Sequence, residues 1–86
     1  MNVEFSEIAL AGLRKALSDE DERENYKLAI KFFLKAKDAE RYAYPLEAYP
    51  DKQMYLRPLD NLRITYELVT PGNPILVWSI KPLSGR

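Results

Sequence analysis

Seven consecutive residues, Leu62-Arg63-Ile64-Thr65-Tyr66-Glu67-Leu68, alternate apolar and polar without a break. A period of two puts Leu62, Ile64, Tyr66 and Leu68 on one face of a strand and Arg63, Thr65 and Glu67 on the other, so the chain must build a sheet with one buried face. Residues 53–57 before it have strand character, and Pro58-Leu59-Asp60-Asn61 reads as the connecting turn. Beyond it, Thr70-Pro71-Gly72-Asn73-Pro74 breaks the pattern, and Ile75-Leu76-Val77-Trp78-Ser79-Ile80 is apolar enough for a deeply buried strand. Two hairpins in series predict an antiparallel meander.

The first half of the chain is helical. Val3 and Phe5 flank Glu4 in a short strand, and Ser6 is an N-cap. Over residues 7–17, Ile8, Ala9, Leu10, Leu13, Ala16 and Leu17 recur at helical spacing, with Gly12 as the weak point. Ser18-Asp19-Glu20-Asp21 offers a second cap, followed by a helix whose expected core stripe is Tyr26, Ala29, Ile30, Phe33 and Ala36. Pro45 and Pro50 interrupt residues 38–52, which read as loop with a short edge strand near 41–46. The predicted class is α+β: a short N-terminal strand, then two helices packed on one face of a three- to four-stranded, mainly antiparallel sheet. The expected core comprises Phe5, Ile8, Leu13, Leu17, Ile30, Phe33, Ile64, Tyr66, Leu68, Leu76 and Trp78. Truncating Phe33 should then cost roughly 3–5 kcal/mol.

Composition narrows the chemistry. The 86 residues predict one domain, 1–86, with a radius of gyration of roughly 12 Å. The chain has no cysteine and no histidine, which removes disulfides, thiolate nucleophiles and imidazole-based acid–base or metal chemistry. No cofactor is expected. The longest apolar runs, residues 8–11 and 75–78, are far below the roughly 20 residues a bilayer needs, and the start lacks the marks of a secretory signal, so no membrane is expected and the cytoplasm is the expected compartment.

The balance of 13 basic and 13 acidic residues hides an asymmetry. Residues 1–26 hold seven acids against three bases and residues 27–86 hold ten bases against six acids. Acids at a helix start and lysines at its end complement the macrodipole, which covers much of this without a binding role. The row Lys27, Lys31, Lys35 reads first as a solvated face, and Tyr42, Tyr44 and Tyr49 as half-buried loop residues rather than base-stacking platforms.

Asp60-Asn61-Leu62-Arg63-Ile64-Thr65-Tyr66-Glu67 and the apolar strand at 75–80 resemble the RelE/ParE-like toxin superfamily of type II toxin–antitoxin systems. The order of elements and the length agree along the whole chain; the sequence likeness itself covers about 30 residues. The resemblance implies a toxin-like protein neutralised by an antitoxin protein. RelE-type members cleave mRNA on the ribosome and ParE-type members inhibit DNA gyrase; a homodimer is a further candidate assembly. In the RNA-cleaving branch, an arginine after the turn and further Lys, Arg and Tyr residues activate a ribose 2′-hydroxyl and hold the phosphate, which suits a chain without histidine. Arg63 matches that arginine.

Other positions depart from the pattern. Met54 and Leu56 stand where relatives carry lysines, with Arg57 one step out of register; Lys81 keeps the first place of a basic pair and Pro82 replaces the second. No C-terminal tyrosine follows. The candidate site is therefore Arg63 and Lys81, with Arg57 as a substitute, on the sheet face opposite the helices. The resemblance and these losses favour a toxin-like protein that acts by binding, over a ribosome-dependent endonuclease with a degenerate site or a non-toxic interaction module. Without the resemblance, Arg63 is a surface residue paired across the sheet with Glu67 or another acid.

Overall fold

A computed structural model describes residues 2–36, 39–69 and 74–82; the expected loop at 70–73 and the tail after Pro82 lie outside them. The elements are β1 (Val3–Phe5), α1 (Glu7–Ala16), α2 (Glu20–Lys35), a 3-10 turn (Ala39–Tyr42), β2 (Tyr44–Pro45), β3 (Met54–Leu59), β4 (Leu62–Leu68) and β5 (Ile75–Pro82). Five strands form one mixed sheet in the order β1-β5-β4-β3-β2, one strand more than the expected three to four; the short edge strand expected near 41–46 is Tyr44–Pro45, paired with Leu56 and Tyr55 of β3. The meander β3-β4-β5 is antiparallel, and β1 joins β5 in parallel. The class is α+β, with two helices packed on the sheet and a radius of gyration of 12.3 Å.

The helix starts follow from local hydrogen bonding. Ser6 Oγ accepts the Ala9 N–H at 3.0 Å and donates to the Trp78 carbonyl at 2.8 Å, so one hydroxyl caps α1 and moors it to β5. Asp19, not Ser18, caps α2, accepting the Asp21 N–H at 2.9 Å. Arg23 closes the link between the helices by donating to the carbonyls of Leu17 and Ser18 at 2.9 Å each. Tyr26 donates to Asp60 Oδ2 at 2.9 Å, tying α2 to the β3–β4 turn; this bond to the carboxylate, with partial desolvation, raises the phenol above its ordinary pKa.

The core joins Val3, Ala9, Leu13, Ile30, Leu34, Leu62, Ile64, Tyr66, Ile75, Val77 and Ile80. Four expected core members lie elsewhere: Ile8 is 66% exposed, Phe33 and Trp78 are each 36% exposed, and Leu76 is half-buried. Two phase shifts account for most of this. On α2 the inward face carries Ile30 and Leu34, with the partly covered Arg23 and Lys27 a turn or two earlier, so polar stems occupy what apolar periodicity assigns to Phe33 and Ala36. On β5 a bulge intervenes: Thr65 opposes Ser79 and Tyr66 opposes Val77, leaving Trp78 without a cross-strand partner. The strand therefore buries Ile75 and Val77 before the bulge and Ile80 after it, a sequence no uniform alternation produces.

The β3–β4 turn is shorter than its proline suggests. Leu59 pairs with Leu62, so the turn is Asp60-Asn61, with Asp60 at φ 53°, a left-handed conformation aspartate tolerates. Pro58 is inside β3, beyond the two residues that β2 covers, where a missing N–H breaks no ladder bond on that side.

Candidate functional site

The sheet face turned away from the helices is where the chemistry concentrates. Arg63 and Lys81 are direct cross-strand partners on β4 and β5, and Thr65 and Ser79 are partners one step along the same face. Lys81 is thus part of the strand and not of a tail beyond it. Among the described residues no carboxylate lies within ion-pair distance of Arg63, and its Nε is buried with no hydrogen-bond partner. Glu67, the acid expected to pair with it, instead accepts the Trp78 Nε1–H at 3.0 Å. Two like charges facing each other without an acid between them form a site that an anion would relieve.

Beside this pair runs an open groove of about 410 Å³ whose wall includes Ile8, Leu46, Tyr49, Met54, Trp78 and Lys81. Its far rim is the connection at 46–52, held down by the Leu46 N–H donating to the Met54 carbonyl at 2.9 Å. From that connection the Lys52 ammonium stands 5.7 Å from the centroid of the Trp78 ring. Lys52 and Lys81 thus line the groove with the indole of Trp78, whose Nε1–H is held by Glu67, and Arg63 stands opposite Lys81 on β4. Neither Trp78 nor Lys52 is identifiable from sequence, since the apolar run at 75–80 reads as uniformly buried and a lysine between two turns carries no periodic signal.

Arg57 is not part of this site. It opposes Ile64, which fixes it on the helix side of the sheet. There its guanidinium lies between the rings of Phe33 and Tyr42, 5.3 and 5.4 Å from their centroids, with Nη1 3.5 Å from the carbonyl oxygens of Phe33 and Ala39. A cation on the last carbonyls of α2 complements the helix dipole and joins three elements. Arg57→Ala is expected to lower stability by about 1–2 kcal/mol, or roughly 4–16 °C in Tm for a domain of this size, and to leave anion binding on the far face intact. Thermal melts of the variant, with titration of a polyanion, check both halves.

Comparison with family models, curated proteins and solved structures finds no match to this chain. No helix among the described residues is long and apolar enough to cross a membrane.

Proposed function

We propose that this protein is the toxin-like component of a toxin–antitoxin pair, acting in the cytoplasm by binding its target through the open sheet face, and held in check by an antitoxin protein that docks on the helical pair or the sheet edge. The observation that carries this reading is the Arg63–Lys81 pair, directly opposed on β4 and β5, with no carboxylate within ion-pair distance of Arg63 among the described residues and with the indole of Trp78 on the adjoining groove. Paired cations next to an apolar seat bind and orient an anionic surface. With Arg57 turned to the helix side, the three-cation cleavage site of a ribosome-dependent endonuclease loses a member. That loss favours binding, of DNA gyrase or another target, over mRNA cleavage.

Induced expression tests the proposal. Growth should arrest with the natural chain and continue with Arg63→Ala, whose Tm should stay within a few degrees because a sheet-surface arginine without an ion pair contributes little to stability. The order in which translation and DNA replication stop identifies the target. Harmless expression of the natural chain, or full toxicity of Arg63→Ala, would overturn the reading and leave an interaction module on the same fold.

A further inference from the structure

The outward face of α2 carries a second arrangement, independent of the sheet. At 3.6 residues per turn, the ridge opposite the buried Ile30 and Leu34 runs through Asp21, Asn25, Leu28, Phe32 and Lys35; Glu24, ion-paired to Lys27 at 3.0 Å, and Lys31, whose ammonium is 6.0 Å from the Phe5 ring centroid, flank it. Leu28 is 64% and Phe32 71% exposed, the two most outlying apolar side chains of a helix whose other face already serves the core. A helix packed on one side needs no such stripe on the other.

The charges along this ridge are ordered: the acid Asp21 before the apolar centre, the lysine Lys35 after it. Leu28 is the midpoint, with Asp21 seven residues before it and Lys35 seven after. A ridge of this kind is complementary to itself when reversed. Laid antiparallel on a second copy about a two-fold axis through Leu28, Asp21 meets Lys35 of the other copy, and the two Leu28 side chains meet on the axis with Phe32 beside them. Each helix N-terminus then lies beside the other's C-terminus, which also aligns the dipoles favourably. A parallel arrangement would set acid on acid and lysine on lysine.

We infer that this ridge is the contact through which two copies of the chain pair, α2 against α2 and antiparallel. Because α2 lies on the opposite side of the sheet from Arg63 and Lys81, pairing leaves both open faces uncovered and makes the assembly bivalent for whatever they bind. The helix is 16 residues, about 24 Å, so a single helix pair gives a contact at the small end of specific interfaces and an association that depends on concentration.

Sedimentation equilibrium of the full chain between roughly 1 μM and 1 mM tests this. The weight-average mass should climb from the 10.0 kDa of one chain toward twice that value. Phe32→Glu, at a site too exposed to disturb folding, should hold the mass at one chain throughout. Asp21→Lys and Lys35→Glu should each abolish association, since every substitution counts twice across a two-fold contact, and the double variant should restore it. That restoration is specific to the antiparallel register. A natural chain that stays monomeric throughout overturns the inference and assigns the stripe to a partner of different sequence. So does a Phe32→Glu chain that associates as before, or a double variant that fails to recover.

Discussion

An Ile30→Ala chain is expected to lose about 2–5 kcal/mol of stability, a large share of the roughly 5–15 kcal/mol that holds a small domain together. Ile30 is fully buried where α2 meets the sheet, in one cluster with Leu13, Ile64 and Tyr66, so truncation opens a cavity that helix and strands border and neither can fill alone. Phe33→Ala serves as the contrast. The Phe33 ring is edge-on to Phe32 at 5.5 Å and under the Arg57 guanidinium, with a third of its surface in water, so its removal should cost well under the value for Ile30. Urea titration of both variants checks the order. If Phe33→Ala proves the more damaging, the inward face of α2 has been assigned wrongly.

Gly12→Ala should lower the Tm, although the same change in an exposed helix raises stability by about 1 kcal/mol. A Cβ at Gly12 would run into the carbonyl oxygen of Ile80, a backbone atom of β5 that cannot step aside without breaking its ladder with β4. The clash should outweigh the helix-forming advantage and give a net loss of about 1–3 kcal/mol, with Gly12→Val losing more because its branched side chain fills the same space. The measurement is again a pair of melts. An unchanged or raised Tm for Gly12→Ala would mean that α1 does not rest directly on β5.

Much of this architecture was legible in the residues. The unbroken alternation at 62–68 placed Leu62, Ile64 and Tyr66 inside and Arg63 outside; Lys81 comes to lie opposite Arg63 because β5 runs on to Pro82, beyond the strand expected at 75–80. What failed had local causes. Trp78 was misread because a single inserted residue reverses the phase of a strand, and an all-apolar run holds no polar residue to mark the reversal. Arg57 was misread because Pro58 suggested a turn two residues too early; once β3 runs to Leu59, parity sends Arg57 to the helix side. Phe33 was misread because Arg23 and Lys27 hide an inward face beneath charged tips. The resemblance to RelE/ParE-like toxins pointed to Arg63, but only the strand register shows that its expected counter-charge, Glu67, is taken by an indole.

The parallel pairing of β1 with β5 has a consequence for how the protein reaches this state. Val3 lies beside Ile75, so the edge of the sheet is closed by segments about 70 residues apart, and α1 also rests mainly on β5. During synthesis, neither β1 nor α1 has its principal neighbour until residues 75–82 have been made. The helices can flicker locally, yet the cooperative step must wait for almost the whole domain to leave the ribosome, and the loop it closes is nearly as long as the domain itself. A chain halted before residue 75 would carry β4 with one ladder edge unfilled, a template for strand exchange with its neighbours. Premature termination should therefore yield aggregated material instead of a weakened fold, and folding should be slow for a protein with two helices in its first 35 residues.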